Sequence, residues 1–90
     1  MKIDSLEWDE RNIEHIAGRH GLSPAEIEDI CFGIHYVFPA RHNRKAMYGK
    51  TSTGKYLMVV LERLHKNVFR VITARGMSPE ERRKYRTVIG

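Results

Sequence analysis

The chain has 90 residues, enough for one domain over 1–90 with a modest core. An apolar fraction of 41% with 30% charged residues excludes disorder from want of hydrophobic side chains. No run of about 18 apolar residues is present to span a membrane, and Met1-Lys2-Ile3-Asp4-Ser5 lacks the apolar stretch of a signal peptide, so a cytoplasmic location is expected.

The net charge of +5 is unevenly placed. Residues 1–34 hold three Lys/Arg against eight Asp/Glu, and residues 35–90 hold thirteen against three. The second part is therefore either an anion-attracting side, with phosphate backbones the first target, or a basic surface kept for solubility.

Residues 1–8 read as a short strand leading to Trp8, expected in the core. Asp9 caps a helix over 10–20, with Ile13, Ile16 and Ala17 on its apolar side and Gly21 as its stop. Ser23-Pro24-Ala25-Glu26 is a capping box with Pro at the first helical position. It opens a second helix whose buried stripe is Ile27, Ile30, Cys31 and Ile34, with Gly33 near its end. Cys31, the one cysteine, excludes an internal disulfide and fits packing better than chemistry.

The period then changes from helix to strand. Residues 35–38 form a strand stopped by Pro39, followed by a basic loop over 40–45. A strand over 46–49, a turn over 51–54 and a nearly continuous apolar run over 56–61 come next, the last being the most central strand by composition. Residues 64–67 turn the chain into a partner strand over 68–74. Short connections make these strands antiparallel neighbours. Ser78-Pro79-Glu80-Glu81 is a second capping box, opening a short helix over 79–87 with its acids first and its bases later, as the helix dipole favours. The sum is an α+β domain: two N-terminal helices packed on a twisted antiparallel sheet of about four strands, a short C-terminal helix, and a second sheet face free for a ligand or a partner.

The order and spacing of five motifs carry a resemblance. They are Trp8-Asp9-Glu10, Arg19-His20-Gly21-Leu22-Ser23, Tyr48-Gly49-Lys50 with Thr53-Gly54-Lys55-Tyr56-Leu57-Met58-Val59-Val60, Arg70-Val71-Ile72-Thr73-Ala74-Arg75, and Glu80-Glu81-Arg82-Arg83-Lys84-Tyr85. Over nearly the whole chain this resembles the BrnT toxins of type II toxin–antitoxin pairs. The resemblance implies a RelE-like fold and an endoribonuclease whose RNA cleavage halts translation. It also implies a BrnA-type antitoxin that covers the toxin and alone contacts DNA. Members often carry acids in the loop before the third strand; here Pro39-Ala40-Arg41-His42-Asn43-Arg44-Lys45 has none. That departure keeps open a second reading, a catalytically weak or inactive RNA- or protein-binding module.

Cleaving RNA takes a base for the 2′-hydroxyl proton, positive donors for the crowded phosphate and an acid for the leaving 5′-oxygen. The histidines at 15, 20, 35, 42 and 65 lack paired ligand spacing, and His15 and His20, five apart, point to different sides of a helix. The expectation is therefore RNA cleavage with no metal and no cofactor. Arg70, Arg75, Lys50 and His20 are the catalytic candidates; Arg41, Thr73, Arg82 and Tyr85 are the substrate-binding ones.

Strict alternation puts Phe69, Val71 and Thr73 on one face of their strand and Arg70, Ile72 and Ala74 on the other, with Arg75 in phase with Thr73. Arg70 is either a guanidinium fork on the scissile phosphate or a structural residue, at the rim or in an ion pair with Glu62. Lys50 and Arg41 are loop cations or phosphate ligands, and Gly49 marks either a bulge or a close approach of backbone to a ligand. His20 is either the titrating group of the site or a cation at a helix C-terminus. Tyr85 either meets substrate or anchors its helix. DNA binding is disfavoured, because the helices flanking the turn 20–23 are acidic.

Overall fold

The structure of the protein, a computed structural model, describes residues 2–89; Met1, the first residue of the strand expected over 1–8, and Gly90 lie outside the described residues. The elements are β1 (Ser5–Glu7), α1 (Glu10–His20), α2 (Pro24–Phe32), β2 (His35–Ala40), β3 (Arg44–Lys50), β4 (Tyr56–His65), β5 (Val68–Gly76) and α3 (Pro79–Ile89). The sheet has five strands in the order β1-β5-β4-β3-β2, one more than expected, because β1 pairs in parallel with β5. The other pairs are antiparallel. No helix among the described residues is long and apolar enough to cross a membrane.

Local chemistry sets the helix ends. The Asp9 side chain accepts from the Arg11 N–H at 2.8 Å. Gly21 closes α1 at φ 66°, in the left-handed region, and donates its N–H to the Ala17 carbonyl. At α2 the Ser23 hydroxyl accepts from the Glu26 N–H while Glu26 accepts from the Ser23 N–H.

α1 and α2 cover the inner face of the sheet, where Ile16, Ile27, Ile30, Met47, Val59, Leu61, Phe69 and Val71 are sealed from solvent. Each such side chain contributes about 1.5–3 kcal/mol of burial. Trp8 packs against this cluster half-buried, as expected, whereas Ala17 and Ile34 are exposed. Ile34 escapes the α2 stripe because the helix ends at Phe32. Cys31 is buried, and burial pushes its thiol up to about 12, which leaves it protonated and inert.

Several expectations are corrected. Pro39 does not stop β2: the strand runs to Ala40, and an outermost strand tolerates a residue with no N–H to donate. The loop expected over 40–45 shrinks to Arg41, His42 and Asn43, the last two at φ 61° and 60°, the backbone of a tight hairpin.

Alternation in β5 fails at Ile72. Val60 pairs with Thr73 and Leu61 with Val71, so Ile72 is the extra residue of a β-bulge. Val71 and Ala74 then both point inward, while Arg70, Thr73 and Arg75 share the outer face. The Val71 carbonyl at this irregularity accepts from Asn12 Nδ2 at 2.8 Å, which ties α1 to β5. Gly49 is needed for a close approach, but to a helix: a Cβ there would lie 3.1 Å from the Ile30 side chain.

Candidate active site

Cross-strand partners on the outer face form rows. Ala40, Arg44, Glu62, Arg70 and Glu7 make one row across all five strands. Phe38, Ala46, Val60 and Thr73 make the next, and Tyr36, Tyr48, Met58 and Arg75 the third. Lys50 and Tyr56 end the face at the β3–β4 turn. The expected free face is not free, because α3 crosses it over the third row. Its docking side chain is Tyr85, which is buried, stacks on Tyr36 at 5.9 Å and meets Tyr56 edge-on at 5.7 Å.

Glu81 fixes the start of α3. It accepts from the Ser78 N–H, from both terminal nitrogens of Arg75 at 2.7 and 3.0 Å, and from the Tyr48 hydroxyl. Hydrogen bonds from the Arg75 guanidinium, aided by the Ser78 N–H, hold the Glu81 carboxyl down at about 2. Burial, with the Glu81 charge beside it, raises the Tyr48 phenol.

With α3 held there, Arg82 and Arg86, one turn apart, reach back over β4. The Tyr56 ring is approached by Lys50 at 5.4 Å, Arg86 at 5.5 Å and Arg82 at 5.8 Å. Arg86 as a hydrogen-bond donor, with the charge of Lys50, lowers the Tyr56 phenol below its ordinary value. Among the described residues none of these cations has a carboxylate within 4 Å. Three unpaired cations around one ring repel one another, and a bound anion relieves that repulsion.

Beside them opens a cleft of about 400 Å³, lined by His20, Lys55, Tyr56, Gly76, Met77 and Arg82 among others. The β3–β4 turn that presents Lys50 and Tyr56 is clamped to α2. Lys55 pairs with Glu26 at 2.6 Å, and Asp29 accepts from the Ser52 N–H and hydroxyl. Buried Thr51 organises the turn from within, accepting from the Lys55 N–H through its hydroxyl.

The residues singled out in the sequence therefore divide. Lys50 and Arg82 come together over Tyr56, and His20 lines the cleft beside them. Arg75 and Tyr85 anchor α3, and the Arg75 fork is filled by Glu81. Arg41 and Arg70 lie toward the other end of the strands, about 20 Å from Lys50 along β3. Arg70 stands in register between Glu7 and Glu62, with neither carboxylate within 4 Å. Thr73 lies in the row between the two ends. His15 and His20 do not diverge as their spacing implied; their rings meet edge-to-face at 5.5 Å, with His15 at the middle of α1 and His20 at its end.

Sequence reasoning missed Tyr56 and Arg86. The available signal for Arg86 was its spacing of four from Arg82, which places both on one helix face. Tyr56 lies at the head of the apolar run of β4, where the sequence pattern is that of an ordinary strand aromatic. Among the described residues, no three His, Cys, Asp or Glu side chains gather closely enough to hold a metal ion.

No protein-family model and no curated protein matches the sequence. The solved structure of the Brucella abortus ribonuclease toxin BrnT matches it with a TM-score of 0.70, over 86% of this chain and 99% of that one, at 23% sequence identity. This chain has the BrnT fold. The likeness read from five short motifs thus holds at the level of the fold.

Proposed function

We propose that the chain is the toxin of a type II toxin–antitoxin pair, an endoribonuclease that cuts RNA at the Tyr56 cleft without a metal. The convergence of Lys50, Arg82 and Arg86 on Tyr56, beside His20, carries this reading, and the BrnT fold supports it. In the proposed reaction His20 takes the proton of a ribose 2′-hydroxyl. The 2′-oxygen attacks the adjacent phosphorus, and the bond to the 5′-oxygen breaks. Tyr56 gives that oxygen its proton, a task eased by the lowered phenol. Lys50, Arg82 and Arg86 hold the phosphate oxygens as charge builds. The products are a 2′,3′-cyclic phosphate and a 5′-hydroxyl.

Arg75 and Tyr85 serve as positioning residues in this scheme, since they hold the helix that carries two of the three cations. RNA cleavage of this kind halts translation in the cytoplasm, and a BrnA-type antitoxin neutralises it and makes any DNA contact.

The test is incubation of the purified chain with RNA in EDTA, with fragments and their termini read by gel and mass spectrometry. Tyr56→Phe and His20→Ala each lower turnover at least about 10²-fold with Tm and RNA affinity little changed. Intact RNA at stoichiometric protein sinks the reading. The binding-module alternative draws on the occupied Arg75 fork; salt-sensitive RNA binding with no products favours it.

A further inference from the structure

Among the described residues, the large exposed apolar side chains lie around one edge of the sheet. They are Phe32 (56% exposed) at the end of α2, Ile34 (75%) before β2, Phe38 (38%) on β2, and Val88 (55%) and Ile89 (36%) on the last turn of α3. β2 is an outermost strand, paired with β3 on one side only. α3 runs from the end of β5 across to β2, where Lys84 sits over the Phe38 ring at 4.3 Å and Tyr85 stacks on Tyr36. Val88 and Ile89, four residues beyond these two, continue the same helix faces one turn past that crossing. An open strand edge and a concentrated apolar patch are each a liability in a free protein. Their coincidence has a purpose if a partner strand fills the edge.

The charges around the edge select the partner. Lys84 lies above it and Arg41 just beyond its end, neither with a carboxylate within 4 Å among the described residues. Arg44, paired with Ala40 at the last position of β2, has its Nε buried with no acceptor. The groups left wanting on this side are cationic. A second copy of the chain, pairing β2 with β2 about a two-fold axis, would set Lys84 against its own counterpart near mid-strand. Pro39 withholds one N–H, which favours a short segment over an extended stack.

We propose that the edge of β2 is a docking site for an acidic, apolar extended segment of a partner protein. The segment adds as a sixth strand, sets apolar side chains against Ile34, Phe38, Val88 and Ile89, and pairs carboxylates with Lys84 and Arg41. This stands whether or not the Tyr56 cleft cuts RNA.

The test is selection of random peptides displayed on phage against the full chain with no RNA present, so that failure of cleavage cannot affect the result. Enriched peptides alternate acidic and apolar residues, and their binding slows amide exchange in residues 35–40. Ile34→Ser and Phe38→Glu weaken that binding at least about tenfold, 1.4 kcal/mol, whereas Arg11→Glu on α1 leaves it unchanged. Ile34 is the more exposed of the two and Phe38 packs partly under Lys84, so an unaltered Tm for each variant verifies the fold. Failure to enrich any peptide, enrichment of basic ones, or binding indifferent to Phe38→Glu overturns the proposal. So does a self-dimer in light scattering that Phe38→Glu dissociates.

Discussion

The carboxylate of Glu81 closes the capping box of α3, fills the Arg75 fork and accepts from Tyr48. Its folded value of about 2 lies below the reference value of 4.5. The pair therefore stabilises the fold fully above about pH 4.5, and that stabilisation is lost as the pH falls toward 2. The gap corresponds to roughly 3 kcal/mol, and solvent around Arg75, whose side chain is 41% exposed, reduces it to roughly 1–2 kcal/mol. Glu81→Gln should cost that much at pH 7 in urea titrations, with parent and variant converging near pH 2. Tyr56 gives a complementary test at the site. A general acid must be protonated, so cleavage declines as the pH rises through its lowered value. The alkaline limb of the rate profile then falls below the ordinary tyrosine range near 10, and Tyr56→Phe removes that limb along with most of the turnover.

At the scale of elements, two close fits place the site. α2 rests on Gly49, where an added Cβ meets Ile30 at 3.1 Å, and the same helix clamps the β3–β4 turn through Glu26 and Asp29. Gly49→Ala should push α2 outward and cost about 1–3 kcal/mol, measured as a fall in Tm, and it should weaken cleavage by shifting Lys50 and Tyr56. α3 depends on its capping box and on Tyr85. Tyr85→Ala removes the buried anchor and should cost about 3 kcal/mol, as large-to-small changes of aromatic side chains do. Hydrogen exchange should then show α3 opening while the amides of β3 to β5 stay protected. An equal loss of protection across the sheet would show that α3 and the inner core form one cooperative unit.

For the whole molecule, the acidic first third of the chain builds α1 and α2 on one face, and the basic remainder supplies the opposite face, where α3 lies. Three free cations at Tyr56 predict a log–log salt slope near −2 for single-stranded RNA, about 0.7 per phosphate. Arg82→Ala should reduce it by about 0.7 whatever the RNA sequence. Helix caps, turn positions and the uneven charge were legible in the sequence, because each depends on residues within one turn of one another or on composition alone. Ser23 with Glu26 and Gly21 are of that kind. Placement of the bulge at Ile72, of Gly49 beneath Ile30 and of α3 on the outer face was not legible. Those outcomes balance packing against partners distant along the chain, and a one-residue shift of register exchanges the two faces of a strand. The sequence by itself determined the order of the elements, the helix starts and the sign of the surface. Only the tertiary structure decided that Arg75 faces Glu81, that Arg70 stands apart, and that Tyr56 lies among Lys50, Arg82 and Arg86, because helix docking and strand register bring those residues together.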